Sequence, residues 1–233
     1  MLDAMARIAA ALLPSFLLST ALFAADVRVG DVELHLPHPR GYCEMDPVLA
    51  SDAPLVGRLH AAVAQSGNHL LVVSADCAEL KDWRRGKRPD VDHIVAYQTT
   101  VALENRELPD TPENMIHSYC ASMNALGDQV MPGTTRDVPQ RAELASTLIV
   151  LNEVKLLGVL AEEPLACYAA TLHKFQIEDR EPTTQVAIIA TTILRGKVIF
   201  AHMMAPYAGR TALAQLLATQ RTNLIQLQRS NRN

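Results

Sequence analysis

The sequence has few aromatic side chains and no excess of positive charge. Its 233 residues include one Trp, four Phe and five Tyr, so an aromatic platform for carbohydrates is hard to build and the core must be aliphatic. The formal net charge is −4 at pH 7, whereas a protein that coats a phosphate backbone carries many Lys and Arg residues. Nucleic acid is therefore not an expected partner.

Motifs for catalysis and metal binding are also missing. The sequence has no CxxC, no HExxH, no GxSxG and no SxxK flanked by plausible partners. Its ten glycines never cluster as GxxxxGK or GxGxxG, and its eight histidines are scattered. We therefore assign no catalytic residue, metal or cofactor. An enzyme of this sequence would have to use residues dispersed along the chain.

Long hydrophobic runs are absent except at the N-terminus. There, Arg7 precedes an apolar run over residues 8–25 that ends in small residues, which is the layout of a secretory signal peptide. We expect residues 1–25 to be this signal, with cleavage after Ala21 or Ala24. An uncleaved anchor is the alternative, because about 17 apolar residues suffice to span a bilayer. After cleavage no segment is long enough to span, and we expect a soluble periplasmic or secreted protein.

Four cysteines follow this segment, and export decides how they are interpreted. An even number of cysteines in an oxidising compartment predicts two disulfides. The alternative is a thiolate nucleophile at Cys43, which lies near His35 and His38 in the sequence, but no protease-type cysteine signature surrounds it. The four residues are Cys43, Cys77, Cys120 and Cys167.

Sequence position favours one of the three connectivities that four cysteines allow. Cys43 and Cys77 each follow a strand-like run, at 32–36 and 69–76. If these strands lie side by side in parallel, joined by the helix between them, the loops after them emerge at the same edge of the sheet. We therefore pair Cys43 with Cys77. The two remaining cysteines, one on an apolar helix face and one in a strand, form an interior pair.

The hydrophobic periodicity predicts a single α/β (α+β) domain over residues 26–233. Two helices, 55–66 and 112–127, have start and stop signals, whereas the run 93–103 fits either a strand or a helix. Four late strand-like runs with short connections predict antiparallel neighbours, covered by the C-terminal helix. The helices are 55–66, 112–127, a short helix over about 139–148, and about 211–229, the last with its leucines on one side. The late strands are 154–163, 165–177, 184–194 and 197–205.

The candidate binding site is the loop "KDWRRGKRPD", residues 81–90. It contains the only Trp of the chain beside four cations in an acidic sequence. Guanidinium groups next to an indole can hold an anionic ligand or dock an acidic protein surface. A solvated charge run above an inward-facing Trp is the alternative. The candidate residues are Trp83, Arg84, Arg85, Lys87 and Arg88.

Two other groups carry weaker signals. His173 and His202 lie on strands that the sheet brings near each other, which permits a two-histidine metal site or two hydrogen-bonded strand residues. The paired carboxylates fit solvated hairpin tips. They are Glu162, Glu163, Glu178, Asp179 and Glu181.

The segments "LPHPRGYCEMD", "TTILRGKVIFAHMMAPYAG" and the final "NLIQL" resemble those of uncharacterised exported proteins of alphaproteobacteria. The early strand that ends in Pro, the late hairpin and the single C-terminal helix are also similar in architecture to PsbP-like α/β sandwiches. That second likeness covers residues 31–45 and 184–228 and carries no catalytic motif. It implies roles in assembly or binding.

We therefore expect an exported, non-catalytic binding or assembly protein of the cell envelope, whose partner is a protein or an anionic envelope component. The rival is a periplasmic hydrolase with dispersed catalytic residues. An effector that acts outside the cell is a third class. The sequence gives no oligomeric state.

Overall fold

The computed structural model describes residues 24–133, 136–176 and 181–232. All but the last two residues of the expected signal peptide lie outside this part of the chain, and so do Glu178 and Asp179. Within the described residues, no helix combines the length and apolar character that a membrane span requires.

Nine strands and five helices occur in the described ranges. The strands are β1 (Ala24–Val29), β2 (Val32–Pro37), β3 (Tyr42–Glu44), β4 (Asn68–Asp76), β5 (Ile94–Thr100), β6 (Val154–Glu163), β7 (Ala166–Phe175), β8 (Thr183–Leu194) and β9 (Lys197–Pro206). The helices are α1 (Ala53–Gln65), α2 (Cys77–Arg84), α3 (Pro112–Val130), α4 (Val138–Leu148) and α5 (Arg210–Ser230).

The centre of the fold is a seven-stranded antiparallel sheet with the strand order β3-β4-β5-β9-β8-β7-β6, and β1 and β2 form a separate hairpin. The predicted α/β class, the antiparallel late strands and the covering C-terminal helix are confirmed. The ambiguous run 93–103 becomes β5 followed by a 3₁₀ turn, Val101–Leu103. The β8–β9 turn places Arg195 at φ 49° and Gly196 at φ 79°. Positive φ at both positions is the geometry of a two-residue type I′ hairpin.

Successive side chains of each strand point to opposite faces of the sheet, so both faces carry apolar residues. Helices cover both faces. On β5, Val95 and Tyr97 belong to the large core formed with α4, α5 and the β1–β2 hairpin. Their neighbours Ile94 and Ala96 belong to a second core under α1 and α2. Helix α3 packs on the same side, at the β6 and β7 end of the sheet.

Both disulfides have the predicted connectivity, Cys43–Cys77 and Cys120–Cys167. The predicted parallel crossover behind the first pair is wrong. After β2 the chain turns at Gly41, with φ 88°, and adds the short strand β3 antiparallel to β4, where Cys43 lies opposite Ala75. Cys77 follows directly after β4, so its Cα atom is 4.9 Å from that of Cys43.

Helix α3 continues past Gly127, which the sequence predicts as its end. Gly127 is buried where α3 crosses β6, and a Cβ atom there would lie 3.0 Å from the Cα atom of Gly158. The glycine is therefore required by the close approach of two backbones. It is not a helix stop.

We expect Gly127→Ala to lower the free energy of unfolding by about 1–3 kcal/mol, because the added methyl group must displace backbone. The matched control is Gly57→Ala in α1, where a Cβ atom meets nothing within 4 Å. That change should stabilise the protein by about 0.5–1 kcal/mol through helix propensity. Urea unfolding of both variants tests this, and equal effects would contradict the close packing at Gly127.

Candidate functional site

The first four residues of the predicted loop 81–90 belong to helix α2, so the loop prediction is wrong there. Arg84, the last residue of α2, forms an intramolecular ion pair. Its Nε donates to Asp52 Oδ1 at 3.0 Å, and its Nη2 donates to Asp52 Oδ2. The Asp52 side chain is completely buried, and it also accepts from the Asp46 backbone amide and the Ser51 hydroxyl. Burial raises the pKa of Asp52, but the hydrogen bonds from Arg84, Ser51 and Asp46 outweigh it and lower the pKa below its ordinary value.

Arg88 is bound in the same way at the other end of the loop. Its guanidinium group contacts Glu79 at 3.0 Å and Asp92 at 2.6 Å. Glu79 also accepts from the backbone amides of Asp92 and His93. Burial raises the pKa of Glu79, and these hydrogen bonds lower it further than burial raises it. Arg84 and Arg88 therefore tie the loop to its neighbours.

The remaining members of the predicted site separate into one half-buried and two exposed side chains. Trp83 is half-buried and packs against the core under α1 and α2. Arg85 and Lys87 are exposed, and neither forms an ion pair with a described residue. The structure thus leaves two of the four cations available to an external ligand. Binding at Arg85 and Lys87 stays a prediction.

His173 and His202 lie on the sheet face that carries α1, α2 and α3. Burial lowers the pKa of His202 to about 4, with a further contribution from His173, so this imidazole is neutral at pH 7. Burial also lowers the pKa of His173, whose Nε2 lies 2.9 Å from Thr171 Oγ1. In the described ranges no three His, Cys, Asp or Glu side chains are placed to hold a metal ion. A two-histidine site thus has no third protein ligand there.

A hydrogen-bonded Ser, His and Glu arrangement occurs where sequence reasoning did not find one. His38 Nδ1 lies 2.6 Å from Ser74 Oγ, and His38 Nε2 lies 3.1 Å from Glu44 Oε2. Ser74 is completely buried and His38 is only 7% exposed. A serine nucleophile must reach its substrate, so this arrangement joins β4 to the segment after β2 as a structural contact. Ser74 is 36 positions from His38, and no spacing rule connects them.

An exposed aliphatic surface lies on the segment 144–154, which contains the end of α4, the connecting loop and the first residue of the edge strand β6. Five large aliphatic side chains there are between 43% and 63% exposed. Leu144 and Leu148 are one helical turn apart on α4, so they share a face. Isolated exposed Leu or Val residues are ordinary, whereas a cluster marks a contact surface. The aliphatic patch consists of Leu144, Leu148, Val150, Leu151 and Val154.

Charged residues of both signs adjoin the aliphatic patch. Glu143 pairs with Arg210, Glu153 pairs with Lys155, and Lys174 donates to the Ile149 carbonyl. An apolar centre with a mixed polar rim is the usual composition of a protein–protein interface. Sequence reasoning identified only a short helix here, because the pattern does not tell which of its apolar residues the fold covers.

Comparison with known proteins gives no relative for this chain: no protein-family model matches it, and neither a curated protein nor a solved structure does.

Proposed function

We propose that this protein is an exported binding or assembly protein of the cell envelope and that the aliphatic patch is its contact surface for a partner protein. The observation that carries the proposal is the exposure of five large aliphatic side chains within one short segment. Removal of such side chains from water supplies most of the free energy of protein association. The two disulfides support export, because such bonds persist in oxidising compartments.

The rim of the aliphatic patch favours a protein over a lipid surface. A helix that binds an anionic bilayer carries Lys and Arg along its polar face, whereas Glu143 and Glu153 flank the patch together with Lys155. Addition of a partner strand to the adjacent edge is also disfavoured. Strand β6 has two register irregularities, and Gly158 within it has φ 114°. Such bulges hinder pairing with a further strand.

The hydrolase alternative rests on Ser74, His38 and Glu44. The buried position of Ser74 argues against it, since a substrate would have to enter the core of the sheet. If the protein were a hydrolase, its hydrolytic activity would be lost in Ser74→Ala and retained in a variant with a substitution elsewhere in the core. The hydrolase hypothesis gives the exposed aliphatic patch no role, so a binding function accounts for more of the structure.

In-cell photo-crosslinking tests the proposed surface. A photoreactive amino acid at position 148 should yield a discrete cross-linked protein, and Val150→Asp in the same chain should reduce its yield at least fivefold. The reason is that a charge placed at 63% exposed Val150 must be desolvated in the interface. Both positions are exposed, so the free energy of unfolding should change by no more than about 0.5 kcal/mol.

The matched control is position 225, where Ile225 is 46% exposed on α5 and belongs to no such cluster. The same photoreactive group there should give no discrete product, and Ile225→Asp should leave the product from position 148 unchanged. Identical products from both positions would contradict the proposal. So would a product from position 148 that Val150→Asp does not weaken.

A further inference from the structure

A groove runs along α5 where the helix faces the Arg40 loop and the strands β8 and β9. One part has a volume of about 350 Å³ and lies between α5 and the loop that contains Arg40. A second part of about 380 Å³ reaches from Tyr42 to Leu216. Thr219 lines both parts, so they adjoin. Volumes of this size suit a small molecule.

One end of the groove has a hydrogen-bond donor without a partner. Gln226 lines the groove, and its buried Nε2 atom has no hydrogen-bond partner among the described residues. The other amides of this helix segment are satisfied. Gln220 donates to the Ala201 carbonyl, and Asn223 donates to Gln220 and accepts from Tyr97. A buried donor without a partner is costly, and a ligand oxygen would satisfy it after a turn of the soft terminal torsion of Gln226.

A free positive charge lies at the same end. Arg40 is exposed, lines the groove and forms no ion pair with a described residue. Neither part of the groove is lined by Asp or Glu in the described chain. The hydroxyls of Thr219 and Thr222 both donate to helix carbonyls. At this end of the groove, the donors that remain for a ligand are thus the guanidinium group of Arg40 and the amide of Gln226, which together suit an oxyanion.

The other part of the groove is mainly aliphatic. Val186, Ala205 and Leu216 line it beyond Thr219. From Gln226 to Leu216 is ten residues of helix, or about 15 Å at 1.5 Å per residue. This length accommodates an extended hydrocarbon chain whose charged end lies at Arg40.

We propose that the α5 groove binds a small carboxylate with an aliphatic tail, such as a free fatty acid of medium length. The carboxylate lies between Arg40 and Gln226, and the tail follows α5 past Thr219 to Leu216. A single guanidinium group with a neutral amide balances a monoanion. A phosphate monoester is largely a dianion at neutral pH. The end of the groove at Arg40 has no second basic side chain to balance it, and His93, in the other part, is already hydrogen-bonded to Glu79.

Titration of the ¹⁵N-labelled, oxidised mature protein tests the site with three probes: octanoate below its micelle concentration, acetate and octan-1-ol. Octanoate should give saturable shifts of the Gln226 side-chain amide and of the Arg40 backbone amide. Its affinity should be at least tenfold higher than that of acetate, which lacks the tail, and of octan-1-ol, which lacks the charge.

Arg40→Gln and Gln226→Leu should each weaken octanoate binding at least fivefold. The matched control is Arg58→Gln, at an exposed arginine of α1 without an ion pair to a described residue, and it should bind octanoate as the wild type does. The amide spectra of all variants report whether they are folded. Equal binding of octanoate and octan-1-ol, equal binding of octanoate and acetate, or shifts confined to the aliphatic patch would each overturn the proposal.

Discussion

Replacement of Arg84 by Ala should lower the free energy of unfolding by about 3 kcal/mol at pH 7, because it leaves a buried carboxylate without its counter-ion. The Asp52 side chain has no solvent exposure, whereas that of Arg84 is 31% exposed. The partial exposure of Arg84 places the expected loss at the lower end of the range for buried pairs. Urea unfolding of the oxidised protein measures it.

Two matched variants separate the ion pair from the general effect of losing an arginine. Arg85→Ala removes the exposed neighbour and should change stability by no more than about 0.5 kcal/mol. The double variant Asp52→Asn with Arg84→Ala should be more stable than Arg84→Ala alone, because no buried charge remains. A large effect of Arg85→Ala, or a negligible effect of Arg84→Ala, would contradict the structural role of Arg84.

The pH dependence follows from the lowered pKa of Asp52. A carboxyl group whose folded pKa is below its unfolded value, near 3.9, stabilises the fold above that value. Its contribution is lost as the pH falls through the folded pKa. The stability of the wild type should therefore fall as the pH drops below about 4, and its difference from Arg84→Ala should be smallest at a pH low enough to protonate Asp52 in both proteins.

Joint replacement of Cys120 and Cys167 by Ala should cost about 2–4 kcal/mol, because the unfolded chain regains the freedom that the cross-link removes. Both cysteines are completely buried, and the bond ties α3 to β7 across 47 residues. At roughly 2–4 °C per kcal/mol for a domain of this size, Tm should fall by roughly 4–16 °C. Calorimetry under non-reducing conditions measures the change.

The first disulfide provides the comparison. It closes 34 residues, so its entropic contribution should be similar, but Cys43 is exposed and its replacement leaves little void. The Cys43→Ala and Cys77→Ala pair should therefore destabilise the protein less than the interior pair. A loss below about 1 kcal/mol for the interior pair would show that packing alone holds α3 to the sheet.

The elements that the sequence predicts correctly are those with local signals. Thr111 caps α3 and Pro112 begins it, and the short Arg195-Gly196 connection forces β8 and β9 into a hairpin. Strand order beyond such hairpins depends on contacts between distant segments. That is why the parallel pairing behind Cys43 was wrong although the cysteine pairs were right.

The site was harder to predict than the fold. A run of cations has the same composition whether it faces solvent or is paired, and the partners of Arg84 and Arg88 include Asp52, which lies 32 residues away from Arg84. Likewise, the sequence of α4 does not reveal that Leu144 and Leu148 lie outside the core. Exposure and pairing both result from tertiary packing, which local periodicity does not encode.

The oxidation state of the protein in its native location tests the central claim, that this is a cross-linked binding protein that acts outside the reducing cell interior. Protein is isolated from cell fractions with free thiols blocked, and its peptides are mapped without reductant. The account predicts periplasmic or secreted material with linked peptides for Cys43–Cys77 and Cys120–Cys167 and an N-terminus that begins after Ala21 or Ala24. Cytosolic material with four free thiols and an intact Met1 would contradict it.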